Sequence, residues 1–475
     1  MTAIFYCLFF LGLTTTGLLG PDEPRYAAIG REMARSGDWV TPRLWGEPWF
    51  EKPALIYWMS GLAFRAGLSE DLAPRLPVAL MSVTFLLAYY WLLEREFSAR
   101  AALFATAMLA TSAAWLSLSH VGVTDLPMAA AFSSAMLLWM PAVTDKRNRL
   151  SHQTAAGALL GLAVLAKGLV PLALALPLVF MARRRLRELF RPAGIAAFIL
   201  VAAPWYLLCW KANGQAFIDE FFLKHHFGRL ATEALQHQQP FWFYVPVLLA
   251  VLFPWTPLVV LLFRKRSYQD PRRRFFVLWV IFGLVFFSAS VNKLPGYLLP
   301  LVPALAALMG LGLAEARRVR GLLAACALLV VLLPVVAAVL PEALLEGLRR
   351  AEAGPLRWGA AAPAVVAAGL AWWLETRGRR LWAVSVVVAV MTAGVVWLKV
   401  TTFPALDRVA SARVAWRQIA GQAHEVCVEE ANRGWLYGLN YYSVTPLPAC
   451  AEGPRPVRLR QTPAGVKLER AGGPQ

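Results

Sequence analysis

The residues able to do chemistry gather at the breaks between apolar runs. Asp22 and Glu23 follow the first run, in GPDEPRYAAIGREM. Glu51 and Lys52 stand before Pro53 in WFEKPALIYW, Asp125 opens an apolar run in HVGVTDLPM, and Lys167 closes one in LAKGLVP. His225, His226 and Arg229 share FFLKHHFGRL, and NKLPGYLLP carries Asn292, Lys293 and Tyr297. Three kinds of chemistry are represented. Asp22 is a carboxylate able to take the proton of an acceptor hydroxyl. Lys52, Lys167 and Arg229 are cations suited to an anionic lipid phosphate. Glu51 with His225 or His226 offers mixed oxygen and nitrogen ligands for a divalent ion such as zinc or magnesium. A base, a cation cradle and a metal position together describe group transfer from a phosphate-bearing lipid.

Each residue also has a plain structural reading. Asp22, with Pro24 close behind, suits a helix start, and Asp125 can cap its own helix. Lys52 and Lys167 can reach to the headgroups along apolar stems. His225 and His226 can be an interfacial pair, and Tyr297 can belong to an aromatic belt.

The elements that must position these residues are read from hydropathy. The chain has 475 residues, of which 59% are hydrophobic and 16% charged. Runs of about the 20 residues needed to cross a bilayer recur along it, so the fold class is an all-α polytopic membrane protein. The runs place about thirteen spans, near 3–19, 76–94, 101–118, 125–142, 153–166, 169–182, 193–212, 241–263, 275–291, 296–314, 320–340, 358–374 and 381–400. Met1–Leu19 has neither a basic flank nor an A-x-A cleavage site and reads as a retained anchor.

The formal charge of +19 is carried by clusters such as DKRNR, RRRLRELFR and RKRSYQDPRRR at every second break. That alternation marks cytoplasmic loops and argues against nucleic acid, which needs one contiguous basic surface. Segments 20–75, 213–240 and 401–475 then fall on the outer face, the last only if the number of spans is odd. In the first of these, Tyr26, Ile29, Gly30 and Met33 share one helical face ending at Ser36–Gly37. A second helix is expected within 50–67, and both read as lying in the membrane interface. The sequence divides into a membrane domain, 1–400, and a small outer domain, 401–475, read as strand, helix, strand and strand. Cys427 and Cys450 both lie in that tail, and a disulfide between them is expected in an oxidising compartment.

Residues 22–58, DEPRYAAIGREMARSGDWVTPRLWGEPWFEKPALIYW, resemble the first periplasmic loop of bacterial C-type (GT-C) glycosyltransferases, nearest to aminoarabinose (lipid A) transferases and their protein-mannosyltransferase-like relatives. TDLPMAAAF, GLAVLAKGLVPL, HHFGRL and NKLPGYLLPLVPAL follow in that family's order, so the resemblance covers most of 1–310. It implies an inverting transfer of a sugar from a polyprenyl-phosphate donor to a lipid, glycan or protein acceptor at the periplasmic face of the bacterial inner membrane. It implies catalytic roles for Asp22 and Asp125, and substrate contacts for Lys52, Lys167, Arg229 and Tyr297, with Arg25 and Tyr57 beside them. It implies a metal position at Glu51 with His225 or His226, and no nucleotide, because the lipid phosphate is itself the leaving group. The alternative from another class is a secondary transporter or flippase, which would gather ionisable groups near mid-membrane and show related halves.

Overall fold

The computed structural model describes residues 2–144, 149–228, 239–263, 268–348, 350–462 and 465–470. Among them, six helices are long and apolar enough to cross a membrane: Leu76–Glu96, Asp125–Thr144, Pro192–Lys224, Pro295–Glu315, Arg320–Leu345 and Arg380–Thr401. A seventh span is counted if Phe241–Val251 and Thr256–Phe263, bent by 112° at their junction, are taken together. The other expected spans include shorter helices such as Ala99–Thr111 and Val170–Met181. Two helices occupy the centre. Asp125–Thr144 and Pro295–Glu315 are 94% and 89% buried over their apolar windows, whereas the other four are 22–44% buried. Asp125 and Tyr297 therefore sit at the first turns of the two most enclosed helices.

The expected anchor at 3–19 departs from a regular span. It is helical from Thr2 to Phe10, the last five residues as a π-helix, and the chain then unwinds. The freed carbonyls must find donors. Two buried arginines supply them: Arg75 donates to the oxygens of Leu13, Thr16 and Gly17, and Arg413 to those of Thr14 and Thr15.

The first loop folds as a unit on this unwound segment. The Asp22–Ser36 helix ends at Gly37, whose φ of 76° closes it with a bond from Gly37 N–H to the Met33 carbonyl. A two-stranded hairpin pairs Arg43–Leu44 with Glu47–Pro48, and the Leu55–Arg65 helix returns against the first. Tyr26, Ile29 and Met33 are buried, as their shared face requires. Gly30 lets the two helices touch: a Cβ there would lie 2.0 Å from Ser60 Oγ and 2.9 Å from the Tyr57 carbonyl.

The tail forms a three-stranded sheet. Val426–Glu430 pairs in parallel with Val457–Thr462, which pairs antiparallel with Gly465–Arg470. The Arg433–Tyr442 helix lies between the first two strands in sequence, the order expected, and Cys427 and Cys450 are joined. Contacts with the first loop place the tail on the same face. Arg31 donates to the Tyr441 carbonyl (2.6 Å), the Tyr442 hydroxyl to Asp71 (2.7 Å), and Arg413 pairs with Asp71 (2.6 Å) and Asp407 (2.7 Å).

Candidate active site

Asp22 and Glu23 part company in the fold. Glu23 is fully buried and forms a two-pronged ion pair with Arg75 at 2.7 and 2.8 Å. It also accepts from the backbone N–H groups of Leu19 and Gly122, both at 2.8 Å. With these partners its carboxylate is fully occupied and structural. Asp22 faces the other way, with half of its side chain exposed. It is the first residue of its helix; Pro21 occupies the cap position without a side-chain cap, so the Asp22 carboxylate does not serve as one.

What holds Asp22 is Arg25, one turn along the same helix, at 2.5 Å. The same guanidinium nitrogen lies 2.8 Å from Glu51, and Lys52 lies 3.4 Å from the other Glu51 oxygen. Arg25 is packed against aromatic rings, with Tyr26, Trp49 and Tyr437 at 5.4, 5.5 and 5.2 Å from its charge. Burial works against that charge, but Glu51, Tyr26 and Asp22 outweigh it and hold its pKa above the usual value. Tyr26 and Tyr57 close the underside, fully enclosed and edge-to-face at 5.9 Å. Burial, together with the carboxylates of Asp22 and Glu51, pushes both phenols well above their ordinary pKa, so they stay neutral. Tyr57 reaches this cluster from within the protein rather than from its surface.

A second cluster stands on the central helices. Lys167 Nζ lies 2.5 Å from Asp125 Oδ1 and 4.9 Å from the centre of the Tyr297 ring, both charged side chains being mostly covered. Gly296 lets the backbone pass close to Asp125, since a Cβ there would be 3.3 Å from Oδ1. The Glu23–Arg75 pair joins the two clusters: Glu23 follows Asp22 directly, and Gly122, which it binds, precedes Asp125 by three residues. Fixed cations beside carboxylates on low-dielectric walls can stabilise a departing phosphate and orient an acceptor.

Of the other expected residues, Arg229 lies outside the described residues, as do the side chains of His225 and His226. Among the described residues no group of three or more histidines, cysteines or carboxylates is arranged to hold a metal. Glu51 itself already has a cation on each oxygen, so a divalent ion would have to displace Arg25 or Lys52. Glu51 is the one member of the expected ligand set whose side chain is described, and its oxygens face Arg25 and Lys52.

Comparison with known proteins gives this geometry a context. Residues 1–213 match the family of dolichyl-phosphate-mannose-protein mannosyltransferases. Undecaprenyl phosphate-alpha-4-amino-4-deoxy-L-arabinose arabinosyl transferase of Serratia proteamaculans is 33% identical over 323 residues, 65% of this chain and 58% of the relative. The corresponding protein of Pseudomonas aeruginosa is 34% identical over 66% of this chain and 59% of its own. The chain thus spans just under three fifths of the length of these curated relatives. The crystal structure of ArnT from Cupriavidus metallidurans bound to undecaprenyl phosphate superimposes with a TM-score of 0.77 at 26% identity, covering 94% of this chain and 84% of that one.

The chain is similar to these transferases and shares their fold.

The arabinosyltransferase EmbB from Mycobacterium smegmatis shares the fold more distantly, with a TM-score of 0.54 at 14% identity over 93% of this chain and 42% of that one. The transporter alternative is not favoured by these transferase relatives. Sequence reasoning missed three participants. Arg75 stands at the start of an apolar run in LAPRLPVAL, where a lone charge was the available signal. Trp49 and Tyr437 carry no charge, and Tyr437 comes from the far end of the chain, so only the fold brings them to Arg25.

Proposed function

We propose that this protein is an inverting glycosyltransferase that moves a sugar from a polyprenyl-phosphate donor to an acceptor at the outer face of a bacterial inner membrane. The observation that carries the reading is the half-exposed Asp22 carboxylate, held by buried Arg25 beside the Glu51–Lys52 pair. A lipid-linked aminoarabinose is the donor favoured by the names of the relatives, and the first-loop resemblance implies a lipid A-like glycolipid as acceptor. The acceptor oxygen attacks the anomeric carbon from the face opposite the phosphate. Its proton passes to Asp22, the bond from anomeric carbon to phosphate oxygen breaks, and polyprenyl phosphate leaves with the electron pair. Lys52 and Lys167, with Arg229, hold the departing phosphate, and Tyr297 covers the Lys167 ammonium. Asp125 fixes Lys167, and Arg25 fixes the Asp22 and Glu51 carboxylates, with the Tyr57 ring beneath the cluster. The phosphate is already a competent leaving group, so a nucleotide has no task here.

The test uses the full chain in detergent with an undecaprenyl-phosphate-linked aminoarabinose donor and a lipid A acceptor, read by mass spectrometry. Asp22→Asn is expected to abolish transfer and to bind undecaprenyl phosphate within about twofold of wild type, since a neutral amide fills the same space. Wild-type turnover by Asp22→Asn would remove Asp22 from the mechanism. No transfer by the wild-type protein from this donor would reject the donor class.

A further inference from the structure

A pocket of about 250 Å³ opens on the back of the Asp22–Ser36 helix, away from the reaction site. It is lined by Arg31, Glu32 and Arg35 from that helix, by Trp45 at the hairpin turn and by Val444 just after the tail helix. At about 1.5 Å per residue, Arg31 and Arg35 stand some 14–20 Å along the helix from Asp22. The volume is below the ~300–1,000 Å³ of drug-sized sites and matches a single ring with a charged group.

Three independent features mark this pocket. First, its two arginines are four residues apart, on one face of the helix. Arg31 is held in place by one bond to the Tyr441 carbonyl and by that ring at 4.3 Å; Arg35 is exposed, with no ion-pair partner among the described residues. Glu32 accepts from Gly46 N–H at 3.0 Å and keeps its negative charge, so two arginines and one carboxylate leave the lining net positive by one. Second, Trp45 and Val444 are the non-glycine residues with positive φ among the described residues, at 56° and 69°, and both line this cavity. A bulky or β-branched residue in that region is strained, and such strain is maintained where a binding surface needs it. Third, the buried indole N–H of Trp45 has no hydrogen-bond acceptor among the described residues. The ring itself stacks at 5.7 Å on Tyr437, which also meets Arg25 of the reaction site and Arg433.

We propose that this pocket binds a phosphorylated sugar unit of the acceptor, at a distance from the hydroxyl that reacts. The arginines suit the phosphate through charge-assisted bonds, and Trp45 gives the wall an aromatic surface for a sugar ring. The Trp45–Tyr437–Arg25 stack connects occupancy to the group that holds Asp22. The assignment of the sugar phosphate to an acceptor rests on the transferase reading above.

The experiment is calorimetry on the full chain in detergent with glucose 6-phosphate, glucose and inorganic phosphate as separate probes, for wild type and Arg35→Glu. Glucose 6-phosphate is expected to bind more tightly than either fragment, and Arg35→Glu to weaken it by about tenfold, the loss of one charge-assisted contact. In transfer assays Arg35→Glu is expected to raise the acceptor KM by a similar factor while kcat stays near wild type. Because Arg35 is exposed, the substitution leaves the fold intact, which its unfolding temperature checks. Equal binding of inorganic phosphate, an unchanged affinity in Arg35→Glu, or an unchanged acceptor KM would each overturn the proposal. Undecaprenyl-phosphate binding on the same wild-type sample reports separately on the donor site, so its failure counts against the transferase reading and not against this pocket.

Discussion

At the scale of single residues, the adjacent carboxylates show how neighbours in sequence take opposite tasks. Glu23 is spent on Arg75, and Arg75 in turn satisfies three carbonyls of the unwound chain. Removing one partner leaves a buried charge, so Arg75→Met is expected to cost about 3–5 kcal/mol, and Glu23→Gln with Arg75→Met to recover part of it. Thermal unfolding in detergent measures both; equal stability of Arg75→Met and wild type would contradict the structural role. Glu51 makes a second residue-scale case. Its oxygens face Arg25 and Lys52, at 2.8 and 3.4 Å, which balance its charge, so chelation is expected to leave transfer unchanged. Loss of turnover on adding a chelator, restored by zinc or magnesium, would instead return Glu51 to a metal site.

At the scale of elements, the first loop depends on how closely its two helices pack. Gly30 is the point of contact, where even one methyl group would meet Ser60 Oγ and the Tyr57 carbonyl. Gly30→Ala should lower stability by about 1–3 kcal/mol, as overpacking does, despite alanine's better helix propensity. Because Tyr57 and Glu51 move with the second helix, turnover should fall with it. Adding Ser60→Ala removes one of the two clashes and should restore part of the loss; no difference between Gly30→Ala and wild type would show that the helices can part freely. The helix pattern of Tyr26, Ile29 and Met33 was legible because a buried face repeats every three or four residues. The hairpin at 43–48 was not, since two residues per strand give no periodicity.

At the scale of the whole molecule, the tail completes the site from the far end of the chain. Tyr437 covers Arg25, while Tyr441, Tyr442 and Arg413 fasten the tail to the first loop. The disulfide closes a 23-residue separation within that tail, and such a loop stabilises by about 3 kcal/mol through the unfolded chain. Reduction, or Cys427→Ser with Cys450→Ser, should lower the unfolding temperature and slow transfer without abolishing undecaprenyl-phosphate binding. Full activity after reduction would mean that the tail's sheet does not position Tyr437. The parity of spans, on which the tail's sidedness seemed to hang, is replaced by direct contact with the first loop.

The sequence by itself determined the membrane class, the helix of the first loop, the order of elements in the tail and the pairing of Cys427 with Cys450. These follow from hydropathy, periodicity and compartment, all of which act locally or add up along the chain. Only the tertiary structure decided that Glu23 is structural while Asp22 is exposed, that Lys167 meets Asp125 and Tyr297, and that the first anchor unwinds after Phe10. Those outcomes depend on partners 42 to 399 residues away, such as Lys167 for Asp125 and Arg413 for the Thr14 carbonyl. A buried charge or an open carbonyl takes whichever partner the fold brings within reach, and no spacing along the chain announces it.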